Sequence, residues 1–180
     1  NGSVFHALTT LDESFNDRII TMRSGSKTFN IAGLKNAYVF TQNQDFFNRI
    51  ERQFNINEIN DLSPFGIAAT VAAYNECDDW IVELNDYIKD NYKLLVKFFK
   101  ENYPEVHVAS LESTYLAWVD CSCFNMSGRK IKNTLLKKGK LYVNDGEMYM
   151  SPYPSFLRIN LGCPRAYLEE ALKRFKKALG

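Results

Sequence analysis

Ser24, Gly25, Ser26, Lys27 and Thr28 put three hydroxyls and one amine within five consecutive residues. A lysine is ordinarily protonated, with a pKa of about 10.4, so condensation of its amine with a carbonyl needs surroundings that favour the neutral form. The hydroxyls of Ser24, Ser26 and Thr28, with the backbone N–H groups of residues 24 to 26, are parts that can hold a phosphate beside such an amine. Phe29, Ile31, Ala32 and Leu34 follow and can exclude water from one side, while Gly33 permits close backbone packing. The same residue types also make an ordinary solvated loop, and composition leaves both readings open. A second candidate lies in FLRINL, residues 156 to 161. Its alternation sets Leu157, Ile159 and Leu161 on one face and Arg158 and Asn160 on the other, away from the core.

The elements that must carry these groups are legible on either side of them. RIITMR (18–23) reads as a short buried strand that delivers the Ser24–Thr28 segment as a loop at the sheet edge, where ligand groups gather. AYVFTQ (37–42) reads as a second strand, ending at Asn43, a cap for the helix DFFNRIERQF. Residues 64 to 103 read as mostly helical, with Pro64 in a first turn, an interruption at Asp78 and Asp79, and Pro104 as the stop. After the interruption Ile81, Leu84, Ile88, Leu95 and Phe99 mark one apolar face of a long helix able to bridge two domains.

From His107 onward the pattern changes. VHVASL and TYLAWVD read as strands, SGRKIKNTLLKKG as an amphipathic helix capped by Ser127 and stopped at Gly139, and LYV as another strand. The turn-rich NDGEMYMSPYPS precedes FLRINL, and PRAYLEEALKRFKKALG closes the chain as a helix with Leu168, Ala171, Leu172, Phe175 and Leu179 in one stripe. The order is α/β followed by a smaller α+β unit.

Bulk properties narrow the function. With 180 residues, 46% hydrophobic and 14% aromatic, the chain can bury a core in one or two domains. A net charge of +1 with interleaved signs offers no broad surface for nucleic acid or an anionic membrane. No apolar run reaches the roughly 20 residues that cross a bilayer, and NGSVFHALTT lacks the layout of a signal peptide. Cys77, Cys121, Cys123 and Cys163 form no CxxC pair and read as reduced structural thiols of a cytoplasmic protein, with no metal expected. His6 and His107 are the two histidines, which argues against a histidine-based metal site or a Ser-His-Asp triad.

SGSKTFNIAGL (24–34) resembles the pyridoxal-phosphate (PLP) lysine segment of class I/II aminotransferases, most closely the branch of cystathionine beta-lyases and related C-S lyases. FLRINLGCPR (156–165) is similar to that family's carboxylate-binding arginine strand. ESTYLAWVD (112–120) is similar to a further family segment, with Ser113 where the family usually has glycine. The resemblance implies that Lys27 forms the internal aldimine with PLP and shuttles a proton as general base. It also implies that Ser24 and Ser26 lie near the cofactor phosphate and that Arg158 holds the substrate α-carboxylate by a two-point ion pair. Asn160 and Arg165 carry weaker expectations, a strand hydrogen bond and a helix-start surface residue being their alternatives.

The implied fold is the C-terminal part of a fold-type I PLP-dependent transferase. Residues 1–85 would form the rear of the large domain with the start of an interdomain helix, and residues 86–180 the small domain. The family's usual chain is about twice as long, so the resemblance implies a homodimeric parent enzyme, a fragment inactive alone, and apolar surface prone to self-association. The expected reaction is C-S beta-elimination; amino-acid aminotransfer is the alternative, and a non-catalytic dimerisation domain the alternative of another class. Met148, Tyr149, Met150, Pro152, Tyr153 and Pro154 stand where this branch has a glycine-rich loop, and are expected to border the substrate entrance.

Overall fold

A computed structural model describes residues 4–150 and 155–180. The described residues form two compact units, one over Val4–Glu83 and the other within Leu84–Gly180.

The first unit carries two short strands, β1 (Thr21–Arg23) and β2 (Tyr38–Phe40), paired antiparallel with Met22 opposite Val39. β1 is shorter than RIITMR suggests. A 3-10 helix occupies Glu13–Arg18, and the Ile19 carbonyl accepts from the Thr41 hydroxyl at 2.7 Å instead of from a ladder partner. Helix α1 (Gln44–Ile56) starts where Asn43 Oδ1 accepts from the Phe46 N–H at 3.0 Å, satisfying one of the orphan donors of a helix start. Helix α2 (Pro64–Glu76) has proline at its first position, where a missing N–H costs nothing. Cys77, outside helical geometry, separates α2 from α3 (Asp78–Asn102), whose first turn carries Asp78 and Asp79 at the positive end of the helix dipole.

The second unit takes most of α3 and builds a four-stranded antiparallel sheet in the order β3-β4-β6-β5: β3 (His107–Val108), β4 (Leu116–Asp120), β5 (Asn144–Asp145) and β6 (Phe156–Asn160). The LYV strand is displaced; pairing starts three residues later, at Asn144. Helix α4 (Gly128–Thr134) is capped by the Ser127 hydroxyl, which accepts from Lys130 N–H, and widens into a π turn over Leu135–Gly139. Gly139 is needed for closeness, because a Cβ there would stand 2.9 Å from the Arg174 carbonyl oxygen of helix α5 (Arg165–Leu179). One sheet face, with Ala117, Val119 and Leu157, is buried with Leu95 and Phe99 of α3, Ile131 of α4 and Leu168 and Phe175 of α5. Side chains pointing to the opposite face in register include Trp118, Asn144 and Arg158.

Candidate cofactor and substrate site

The segment after β1 closes into a single helical turn, the Phe29 N–H donating to the Gly25 carbonyl at 2.9 Å. Lys27 sits within that turn with its side chain exposed, and among the described residues it makes no hydrogen bond or ion pair. Ser24 and Ser26 meet directly, Oγ to Oγ at 2.5 Å, and the Ser24 hydroxyl also donates to the Asn36 carbonyl at 2.9 Å. The backbone N–H of Ser26 donates to Ser24 Oγ at 3.0 Å, so this amide is engaged within the turn rather than free for an anion.

Packing fixes the turn from behind. Phe29 stacks on Trp80 with ring centroids 6.1 Å apart and meets Tyr74 edge-on at 5.3 Å. Gly25 is the close-approach glycine, since a Cβ there would lie 3.2 Å from Phe29 and 3.4 Å from Ile31. Gly33, expected to serve that purpose, has nothing within 4 Å of such a Cβ, because the Ala32–Leu34 turn is open on that side. Asn36 is the residue that sequence reasoning missed here. Its carbonyl anchors Ser24, while its side chain donates to the Gly66 carbonyl at 3.0 Å and to the Thr70 hydroxyl at 2.7 Å. An asparagine ahead of a strand gives no sequence signal for such a role.

Two touching hydroxyls with an exposed amine one and three residues away suit a phosphate-bearing aldehyde. Hydroxyl protons rotate, so Ser24 and Ser26 can turn from the Asn36 carbonyl and from each other to donate to phosphate oxygens, and the amine can bond to the carbonyl carbon.

Arg158 belongs to the other unit. It lies on β6 opposite Trp118 of β4 and Asn144 of β5, half-buried, its Cζ 4.9 Å from the centre of the Tyr149 ring. Among the described residues it makes no ion pair, which leaves its in-plane N–H donors available for a carboxylate. Asn160 and Arg165 make local contacts. Asn160 Oδ1 accepts from the Gly162 N–H at 2.8 Å. Arg165 donates its backbone N–H to Tyr87 Oη at 2.7 Å and lies near Asp90 at 3.9 Å. Asn91, fully buried on α3, donates to both the Leu161 and Cys163 carbonyls at 3.0 Å and fastens the end of β6 to that helix. Of the loop expected at the substrate entrance, Met148, Tyr149 and Met150 are described and exposed; Pro152, Tyr153 and Pro154 lie outside the described residues.

Titration marks a different pair. Burial pushes the Asp145 carboxyl up, but the Lys132 ammonium 2.7 Å away and backbone N–H groups outweigh it and hold that carboxyl below its usual range. Cys121 is pushed far up by burial, which makes it an inert core thiol. Among the described residues no cluster of His, Cys, Asp and Glu could hold a metal, and no helix is long and apolar enough to cross a membrane.

Known proteins resemble the chain along nearly its whole length. A cystathionine beta-lyase of Bacillus subtilis (strain 168), PatB, is 32% identical over 170 residues, covering 94% of this chain and 44% of that protein. The crystal structure of cystalysin from Treponema denticola, which contains a pyridoxal 5'-phosphate cofactor, superposes with a TM-score of 0.94 at 28% identity, over 99% of this chain and 45% of that one. The PLP-bound C-S lyase from Staphylococcus hominis superposes with a TM-score of 0.79 at 30% identity, over 91% of this chain and 42% of that one. The chain thus spans about half the length of these relatives, and its fold is that of the matching part of fold-type I PLP enzymes. The family model for aminotransferase class I and II matches residues 2–175, and the chain belongs to that family.

Proposed function

We propose that the protein carrying this chain is a PLP-dependent C-S beta-lyase, acting on amino acids with a thioether at the β-carbon. Lys27 Nζ holds the cofactor covalently and moves the substrate's α-proton. Ser24 and Ser26 hold the cofactor phosphate, and the Arg158 guanidinium binds the α-carboxylate through two parallel hydrogen bonds. PLP supplies an electron sink for the pair left at the α-carbon. When the β C–S bond breaks, the thiolate leaves with its bonding electrons, and addition of water yields a thiol, pyruvate and ammonium. Activity is proposed for the whole protein, a cytoplasmic homodimer, with the 180-residue stretch inactive by itself.

The observation that carries this reading is the Ser24–Ser26 hydroxyl pair at 2.5 Å beside an unpaired Lys27, in a chain 32% identical to a cystathionine beta-lyase. Replacement Lys27→Ala is expected to abolish the visible absorbance of bound cofactor and to lower turnover of cystathionine by at least about a thousandfold, a loss in the range covalent and acid–base roles supply together. Retention of both would remove Lys27 from its role. Aminotransfer is the second reading, favoured by the bulky exposed Met148, Tyr149 and Met150 beside the Arg158 strand. Pyruvate and thiol formed from cystathionine mark the lyase; amino exchange that depends on an added keto acid marks the aminotransferase.

A further inference from the structure

Arg158 is held by an aromatic face rather than by an acid. Its Cζ stands 4.9 Å from the Tyr149 ring centre, and Tyr149 is itself held on two sides. Asn144 Nδ2 donates to the Tyr149 hydroxyl at 2.8 Å, and Trp118 meets the Tyr149 ring edge-on with centroids 6.0 Å apart. Trp118 and Asn144 are the register neighbours of Arg158 on the two flanking strands, so both anchors of the ring start from the same rung of the sheet. The turn that carries the ring, Gly146–Tyr149, is tied a third time through Glu147, which pairs with Arg129 of α4 at 2.9 Å.

The mode of holding matters for what the guanidinium can still do. A cation over a ring is attracted through its face, whereas the N–H donors of a guanidinium lie in its plane and point outward from its edges. An acidic partner would occupy those edges and cancel the charge, and an incoming carboxylate would have to displace it. A neutral ring fixes the plane of the fork and leaves both charge and donors free.

We propose that Tyr149, through the face of its ring, is the positioning residue that sets the Arg158 fork for a substrate carboxylate. The proposal rests on the reading of Arg158 as the carboxylate site. Substrate affinity, rather than the chemical step, is then what Tyr149 governs.

The test uses the intact holoprotein and two readouts. One is the dissociation constant of L-alanine, which has no β leaving group, followed by tryptophan fluorescence. The other is the division of effects between KM and kcat for cystathionine. Tyr149→Leu is expected to weaken L-alanine binding and raise KM by about three- to fivefold, matching an exposed cation–π contact, with kcat changed by less than about twofold. Tyr149→Phe keeps the face and is expected to stay within about twofold of wild type. Arg158→Lys, which loses the planar fork, is expected to weaken L-alanine by about tenfold or more. If Tyr149→Leu binds L-alanine like wild type while Arg158→Lys does not, the positioning role is overturned and the carboxylate site stands. If Arg158→Lys also binds like wild type, the carboxylate reading fails and takes the positioning role with it. A loss in Tyr149→Phe as large as in Tyr149→Leu overturns the part assigned to the ring. Should Tyr149→Leu not fold, Tyr149→Met, of similar volume and without an aromatic face, carries the same expectation and the same reversal.

Discussion

The two units bury their apolar side chains to opposite extents. In Leu84–Gly180, Leu95, Val119, Ile131, Leu157 and Leu161 are wholly inaccessible, and Phe99 and Phe175 are 1% exposed. In Val4–Glu83, Ala73 is the one buried apolar side chain among the described residues, while Met22, Phe40, Phe65 and Val71 stand open to solvent. Hydrophobic burial dominates folding where surface is removed from water, so the second unit is held by its core. The first lacks such a core and is ordered in part by caps and polar ties, such as Asn43 at α1 and Asn36 on Gly66 and Thr70, and it is this unit that carries Lys27. The less self-sufficient unit therefore bears the proposed covalent chemistry.

A pair of truncations would break that comparison most directly. Phe99→Ala removes a ring packed edge-on against Phe175 at 5.2 Å and is expected to cost about 3–5 kcal/mol in chemical denaturation, as large cavities in tight cores do. Phe40→Ala removes a side chain that is 47% exposed and is expected to cost no more than about 0.5 kcal/mol in the same measurement. Equal losses would mean that the first unit's apolar residues are covered in solution, and the contrast drawn from accessibility would fall.

Ion pairs sharpen the contrast in a second way. Lys132 and Asp145 pair at 2.7 Å with side chains 19% and 3% exposed, whereas Arg49 and Asp45 on α1 stand 3.6 Å apart with side chains 73% and 75% exposed. Asp145→Asn leaves a cation largely shielded from water and is expected to destabilise by about 3 kcal/mol at neutral pH. Asp45→Asn is expected to change nothing measurable, because an exposed pair gains little from attraction that solvent screens. The pH dependence has a definite sign. The folded Asp145 carboxyl lies below its ordinary 3.8, so its contribution is complete above that value and is lost as pH falls through the lower, folded value. The gap between wild type and Asp145→Asn should therefore hold from neutral pH down to about pH 4 and close below it.

Which features could be read from the sequence follows from how local their causes are. Asn43 and Ser127 were legible as caps because a cap acts within three residues, and the apolar stripe of α3 was legible because Ile88, Leu95 and Phe99 repeat on one helical face. β6 was legible from alternation alone. β5 was not: the apolar LYV looks like the strand, yet pairing falls on Asn144 and Asp145, set by opposition to Arg158 and Leu157 far along the chain. β1 lost its first residues for a similar reason, since the Thr41 hydroxyl claims the Ile19 carbonyl across 22 residues. In the candidate site, the Ser24–Ser26 contact follows from spacing of two residues. Asn36 and Tyr149 do not, because a carbonyl twelve residues away and a ring beneath a guanidinium depend on tertiary placement.

Asn43 offers the finest resolution of what orders the core-poor unit. It acts twice, accepting from the Phe46 N–H at 3.0 Å and donating through Nδ2 to the Asp17 carbonyl at 2.7 Å, which ties the start of α1 to the segment ahead of β1. Asn43→Ala loses both contacts and is expected to cost about 1 kcal/mol, with faster amide exchange at Phe46. Asn43→Ser restores a capping oxygen but cannot reach Asp17, so Phe46 should regain its protection while part of the loss in stability remains. If both variants matched wild type in exchange and denaturation, polar ties could not be what orders this unit. Apolar packing, such as that of Phe29 on Trp80 and Tyr74, would then have to supply that order.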